Sequence, residues 1–358
     1  MLSNRYKNIF RVTQERRVFF ESDRPEQIWK EVVDKDAEDM KNLCQAMSRL
    51  VYDVGVPKCL VHLSAKLLYA AVYKKRGHYT KESDYLASRC QDMSASLMAF
   101  LQRQYTLAHM GCSVVMAWDD KSEQMFCFRS LDWKGADDIA RSTRPYSFVN
   151  AKEEEVAKVA GITGMVGVLT GTKKGFSVAI NYAPWKRSAR FKSDPTFLIR
   201  QLLEDASITD YKSAQERVKT WEVGSPCFIS LCGVSKGEAC VIELGNKGGV
   251  HVREMGKENF LIQTNHYNLD TSPFTKHNEE PYEVEMSEEQ WYESELLRNS
   301  QKREKLLRKR LQESSLLPMQ ERMLEIYKEV PVLNWETAQW VLMKPKSGDI
   351  EVYACVDR

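Results

Sequence analysis

The sequence predicts an α+β fold in which antiparallel sheets are layered with helices behind an N-terminal helical segment. Three observations carry this reading. The first 110 residues repeat apolar side chains at helical spacing, and the pattern then switches at Cys112 to short β-prone runs divided by turn residues. From there strand pairs alternate with helix pairs, without the single-helix crossovers that a parallel sheet needs.

Residues 1–34 read as an extended lead-in and a short amphipathic helix with Pro25 near its start. Met40, Leu43, Met47, Leu50 and Val51 mark a helix over Lys35–Asp53. Pro57 interrupts it, Leu60–Tyr73 forms a second helix, and a third runs from about Lys81 to Met110. This segment, residues 1–111, is expected to be all-helical with no strand of its own, as a propeptide or small subunit or as a plain helical cap. Residues 112–358 are expected to form the catalytic domain. Cys112–Trp118 and Gln124–Trp133 flank Asp119-Asp120-Lys121-Ser122 as a hairpin, and Gly164–Gly171 and Phe176–Tyr182 flank Thr172-Lys173-Lys174-Gly175 as a second. Helices follow over Pro195–Asp205 and Tyr211–Lys219. A four-strand meander comes next, over Cys227–Cys232, Ala239–Leu244, Gly249–Arg253 and Phe260–His266. A long charged helix spans 287–313, and a hairpin of Ala338–Lys344 with Ile350–Val356 closes the chain.

At 358 residues, 43% hydrophobic and 28% charged, the composition is that of an ordinary globular chain, and a net charge of +2 singles out neither nucleic acid nor an acidic partner. The longest apolar runs fall short of a membrane span, and contact of the 287–313 helix with a membrane surface is the weaker alternative to a solvated face. Nine cysteines are scattered without C-x-x-C pairs, which reads as reduced thiols. The first twenty residues carry charges every few positions, a poor secretory signal, and no N-x-[ST] acceptor occurs. The expected compartment is therefore cytoplasmic. The six histidines have no metal-ligand spacing, so neither metal nor cofactor is expected. The glycines and lysines of 170–175 lack the order of a phosphate-binding loop.

The Gly111–Cys112 bond is the candidate reactive centre. A thiol attacks efficiently only as thiolate and needs a base or cation beside it. A cysteine at a chain N-terminus carries such a base, since an α-amine titrates near ~7.7–8.0. That amine becomes available only if the bond to Gly111 is cut, and the same thiol can do this by attacking the Gly111 carbonyl. From spacing alone, the bland readings come first: Cys112 as a buried thiol opening a strand, Arg129 and Asp132 as a surface ion pair, and Asn181 and Asn265 as turn residues. A papain-like pair of Cys112 with His266 would leave Arg129 and Asp132 unexplained.

Four blocks in order carry a resemblance: Cys112-Ser113-Val114-Val115; Phe128-Arg129-Ser130-Leu131-Asp132-Trp133; Gly164–Gly171 with Phe176–Asn181; and Gln263-Thr264-Asn265-His266-Tyr267. Together, over about residues 80–270, they resemble the acid ceramidase and N-acylethanolamine acid amidase family of N-terminal nucleophile hydrolases. Choloylglycine hydrolases and penicillin acyltransferases are the more distant likenesses.

The resemblance implies an αββα four-layer sandwich and a precursor that cleaves itself at Gly111–Cys112 into an α/β heterodimer. It also implies hydrolysis of an N-acylated, lipid-like amine through a thioester. Cys112 would be nucleophile and base, Asp132 would hold the freed amine, and Arg129 would favour the thiolate. Asn265 would donate to the oxyanion, with Asn181 beside it. The family's second arginine is not where expected: the matching region reads Thr275-Lys276-His277-Asn278-Glu279. Ser300-Gln301-Lys302-Arg303 fits the Ser-x-x-Arg helix of the acyltransferase branch, so Arg303 takes that place, with Arg298 the rival. Two further readings stand: an acyltransferase using the same intermediate, and an uncleaved, non-catalytic scaffold.

Overall fold

The strand that Cys112 opens is buried along almost its whole length, and so is its hairpin partner. That requires cover on both faces. The computed structural model describes residues 7–53, 58–70, 78–90, 93–102, 111–184, 193–245, 249–275, 278 and 288–358. Within these, the chain first runs through β1 (Lys7–Val12), β2 (Arg16–Val18), α1 (Pro25–Ile28), α2 (Lys30–Asp53), α3 (Lys58–Leu68), α4 (His78–Arg89) and α5 (Ala95–Leu101). Next come β3 (Gly111–Asp119), β4 (Gln124–Asp132), α6 (Ala136–Arg141), β5 (Thr143–Val149), β6 (Glu155–Ile162), β7 (Thr170–Lys173) and β8 (Phe176–Tyr182). The remainder is α7 (Pro195–Glu204), α8 (Tyr211–Lys219), β9 (Cys227–Cys232), β10 (Ala239–Leu244), β11 (Val250–Glu254), β12 (Phe260–Gln263), α9 (Glu288–Gln312), α10 (Met319–Tyr327), β13 (Thr337–Lys344) and β14 (Asp349–Asp357).

The strands form a six-stranded sheet, β1-β14-β13-β4-β3-β12, and an eight-stranded sheet, β11-β10-β9-β8-β7-β6-β5-β2. Every pairing is antiparallel except β2 with β5. Side chains alternate between faces along a strand. Val114, Met116, Met125 and Cys127 therefore point into the space between the sheets, against Ala179, Phe228 and Val241. Val115, Ala117, Phe126 and Phe128 point the other way and are covered by Leu307 and Leu311 of α9 and Met323 and Tyr327 of α10. Helices α2, α4, α5, α7 and α8 contribute to the core on the eight-stranded sheet. The result is the four-layer αββα sandwich expected.

Several local expectations are corrected. The N-terminal segment is not all-helical: β1 joins the edge of the six-stranded sheet beside β14, and β2 joins the eight-stranded sheet beside β5. Both are short and rich in charge, so their strand state comes from edge pairing rather than from an apolar alternation of their own. The four-strand meander divides. β9–β11 stay in the eight-stranded sheet, whereas β12 crosses to pair with β3. Strand β7 begins only at Thr170, and β5, β6 and α10 were not expected. The helix expected to continue through 103–110 lies outside the described residues there, as do Lys276, His277 and Glu279.

The segment before Gly111 is tied to the rest through a buried charge cluster. Arg200 of α7, fully buried, makes a bidentate pair with Glu82 of α4 at 2.7 and 3.1 Å and bonds Glu204 at 2.7 Å. Glu82 also accepts from the indole of Trp29, and the Arg200 guanidinium lies over the rings of Trp29, Tyr79 and Phe148. Burial alone would lower the Arg200 pKa; Glu82 and Glu204 more than offset it and hold it above its ordinary value. Removing one member of such a pair strands a buried charge. Glu82→Ala is expected to cost about 3–5 kcal/mol of stability by chemical denaturation, while replacing the exposed Glu38 should change little.

Candidate active site

Cys112, fully buried, lies at the start of β3 in antiparallel register with Leu131, and Gly111 sits opposite Asp132. This register puts the Cys112 and Arg129 side chains on the face toward the eight-stranded sheet and the Asp132 side chain on the other. Arg129 Nη2 donates to Cys112 Sγ at 3.2 Å and to the Ile180 carbonyl of β8 at 3.3 Å. Asp132 accepts from Thr337 Oγ1 at 2.8 Å, and its Oδ2 packs against Gly111, where a Cβ would fall 2.9 Å from Asp132 Cβ and 3.1 Å from Oδ2. Gly111 is thus required by the close approach of that carboxylate.

Residues from far along the chain complete the centre. The Cys112 backbone N–H donates to Asn265 Oδ1 at 2.7 Å. Arg303, fully buried on α9, donates from Nη1 to the Cys112 carbonyl and to Ser113 Oγ (2.8 Å), and from Nη2 to Asn265 Oδ1 (2.9 Å). Its Nη1 stands 3.9 Å from Asp132 Oδ2. Asn181 Nδ2 donates to the carbonyls of Gln263 (2.9 Å) and Thr264 (3.0 Å) and lies 3.5 Å from that of Cys112. The structure therefore brings Cys112, Arg129, Asp132, Asn181, Asn265 and Arg303 together around Gly111–Cys112. Arg298 is exposed on another face of α9.

One orientation departs from expectation. Asn265 turns its oxygen, not its amide nitrogen, toward Cys112, while Nδ2 donates to the Tyr182 carbonyl at 2.9 Å. Two donors, the Cys112 N–H and Arg303, converge on Oδ1 and fix this orientation. In the intact chain the group that grips the Cys112 backbone N–H is thus Asn265, whereas the amine expected to be held by Asp132 arises only on cleavage. Sequence reading also missed Ser113, Thr337, and Tyr327, whose hydroxyl donates to the Ser113 carbonyl at 3.3 Å. Nothing in their local pattern marks them, because they reach the centre through sheet pairing and helix packing.

Four buried polar atoms at this centre have no hydrogen-bond partner among the described residues: Arg129 Nε and Nη1, Asp132 Oδ2 and Asn181 Oδ1. Interiors rarely tolerate such atoms except where they serve function. Burial pushes the Cys112 thiol up from its usual value; Arg129 and Arg303 act against this and Asp132 with it. Burial likewise lowers Arg303, opposed by Asp132 and Cys112. An apolar cavity of about 30 Å³ is lined by Trp133, Gly164, Met165 and residues of α2 and α5, but not by Cys112.

No family model matches the chain. Among curated proteins it is similar to the acid ceramidase of the minke whale Balaenoptera acutorostrata scammoni, 30% identical over 137 residues, a third (33%) of either chain. It is also similar to the acid ceramidase of cattle, 22% identical over 279 residues that cover 70% of this chain and 69% of that one. Among solved structures it matches the Caenorhabditis elegans N-acylethanolamine-hydrolyzing acid amidase orthologue with a TM-score of 0.52 and 21% identity, over 66% of this chain and 94% of that one. Two antiparallel sheets between helical layers, with a cysteine opening a central strand, define the class as the N-terminal nucleophile hydrolase fold. Within that class the similarities are to acid ceramidases and to an N-acylethanolamine-hydrolyzing acid amidase, at low identity. The cytoplasmic expectation is corrected here, because these relatives are lysosomal enzymes. Scattered cysteines and a charged N-terminus did not carry compartment information.

No helix among the described residues is long and apolar enough to cross a membrane. Two measurements test the electrostatics of the region. Arg129→Ala removes the cation opposing the burial shift of Cys112, so alkylation of Cys112 at fixed neutral pH should slow by about tenfold per unit of pKa, read by peptide mass mapping with exposed Cys59 as internal control. The loop following Asn265 is pinned by a bond from Ser272 to Glu243, whose pKa burial pushes up to about 7. The folded state then holds more protons than the unfolded between the ordinary carboxylate range and pH 7, so stability falls as pH rises through that window. Glu243→Gln should flatten this loss, a gain at pH 8 of up to about 3 kcal/mol by denaturation at pH 5 and pH 8.

Proposed function

We propose that the chain is an N-terminal-nucleophile cysteine amidohydrolase that cleaves the amide of an N-acylated, lipid-like amine after first cleaving itself. The observation that carries this is the pairing of Arg129 Nη2 with Cys112 Sγ at 3.2 Å while Asn265 holds the Cys112 nitrogen at 2.7 Å. The two atoms the reaction needs, the sulfur and its own amine, each have a dedicated partner.

In the precursor, Cys112 Sγ attacks the Gly111 carbonyl carbon. The C–N bond breaks, the Cys112 nitrogen leaves as an amine, and Gly111 becomes a thioester that water hydrolyses. Arg129 offsets negative charge on the sulfur throughout. Afterwards the amine takes the thiol proton, Sγ attacks the substrate carbonyl, and the tetrahedral intermediate collapses to an acyl-cysteine as the substrate amine departs with a proton. Water then clears the thioester. Asn265 Oδ1 orients the amine so that its lone pair faces the thiol. Asp132 packs against the Gly111 side of the cut, and Arg303 holds the Cys112 side through the Cys112 carbonyl and Ser113 Oγ. Asn181 Nδ2, 3.5 Å from the Cys112 carbonyl, is a second donor beside Arg303 and suits positioning of the reacting carbonyl. The substrate class follows the relatives, an acid ceramidase and an N-acylethanolamine-hydrolyzing amidase. The two products would stay together, since residues 1–111 contribute a strand to each sheet.

Intact mass decides the matter. Wild-type protein should resolve under denaturing conditions into two chains, the larger beginning at Cys112, and should turn over an N-acyl amide. Cys112→Ala should remain a single 41.4 kDa chain without activity. A wild-type protein that stays whole and forms no acyl-cysteine with an acylating probe would overturn the reading.

A further inference from the structure

Beside the centre lies a second buried polar chain that the reaction above does not use. His266 Nδ1 is 2.8 Å from Ser300 Oγ and 3.1 Å from Thr264 Oγ1, and its Nε2 is 3.0 Å from Glu304 Oε2. Ser300 Oγ donates to Thr264 Oγ1 at 2.9 Å and accepts the Asn265 backbone N–H at 2.6 Å. Ser300, Arg303 and Glu304 share one face of α9 at helical spacing. The same turn of helix therefore grips Asn265 from behind through Ser300 and from the front through Arg303. Resting on the function proposed above, we propose that His266 is a positioning residue: clamped between Glu304 and Ser300, it sets the placement of Asn265 and Arg303 on the Cys112 amine and carbonyl.

The hydrogen-bond inventory forces the direction of this relay. Glu304 is a carboxylate and can only accept, so His266 Nε2 carries a proton. With the imidazole neutral, Nδ1 accepts from a hydroxyl; with it charged, Nδ1 donates to Ser300 Oγ, whose own proton then goes to Thr264. Gain or loss of one proton at Nδ1 thus redirects the hydroxyl that receives the Asn265 N–H. Burial alone would raise Glu304; His266 and Arg308 more than offset it and keep it below the usual carboxylate range. Glu304 of α9 pairs with the imidazole, and Arg308 of α9 and Arg253 of β11 act in turn on Glu304. Arg253 also donates to Gln263 Oε1 at 2.6 Å, and Gln263 Nε2 donates to the His266 carbonyl at 3.0 Å.

The test separates the relay from the enzyme. Imidazole ¹⁵N and backbone amide spectra of the full Cys112→Ala chain are followed from about pH 4 to about 8, the range in which imidazoles ordinarily change charge. The Asn265 amide signal should move with the midpoint of His266, and in the Glu304→Gln form of that chain both should move together to a new midpoint. An Asn265 signal indifferent to His266 overturns the proposal, whether or not the wild type proves active. In active protein, His266→Gln and Glu304→Gln should lower kcat about ten- to a hundredfold, leave KM within about twofold, and alter the pH profile of kcat. Unchanged kcat and pH profile in both variants would also overturn it. Failure of the wild type to self-cleave would sink the proposed function while leaving the spectra interpretable.

Discussion

Asn265 Oδ1 receives two donors at once, the backbone N–H of Cys112 and Nη2 of Arg303. That three-way junction is the constraint on which the centre depends. It joins the first residues of β3, the residues just past β12 and the fifth turn of α9, which are separated by 153 and 38 positions in sequence. The junction exists only because β12 leaves the eight-stranded sheet and pairs with β3, with Gln263 opposite Val114. Had β12 stayed beside β11, Asn265 would lie on the wrong sheet. The crossing of one short strand between layers is therefore what assembles the site.

This explains what was legible in the sequence and what was not. Helix α8 and strands β9 and β10 were readable to the residue, because apolar period and turn chemistry specify them locally. The β3–β4 hairpin was readable for the same reason, whereas Arg303 was singled out only by the resemblance of Ser300-x-x-Arg303 to the acyltransferase branch. Sheet membership is a long-range property: the apolar run of β12 suits either sheet, and only its neighbours decide. Strands β1 and β2, Lys-Asn-Ile-Phe-Arg-Val and Arg-Arg-Val, carry too little apolar alternation to register as strands until β14 and β5 offer them an edge. The turn of Asn265 was invisible for another reason. A side-chain amide presents a donor or an acceptor with equal ease, and only Cys112 N–H and Arg303, both donors, settle which end faces in.

The division of the chain at Gly111 reads differently once the sheets are known. A propeptide that merely covers a site can leave, but a segment that supplies an edge strand to each sheet and a buried Glu82 to Arg200 cannot leave without exposing both edges and stranding a charge. Cleavage there would free a chain end at Cys112 while changing little in the packing. On the proposed function, this suits a nucleophile that acquires an amine without losing its surroundings.

The charges argue the same way. Two guanidiniums, Arg129 and Arg303, and one carboxylate, Asp132, are buried around a neutral thiol. Arg129 leaves two nitrogens without a hydrogen-bond partner among the described residues. As a device for stability this is poor, since burying an incompletely paired cation costs several kcal/mol. An apolar residue at 129 would pack between the sheets, as Val114 and Met116 do, without that cost. On the proposed function, a thiolate at Sγ, or the oxyanion that follows its attack, adds the negative charge that balances this arrangement. A centre that is electrostatically incomplete at rest and complete during bond cleavage stabilises the transition state in preference to the ground state.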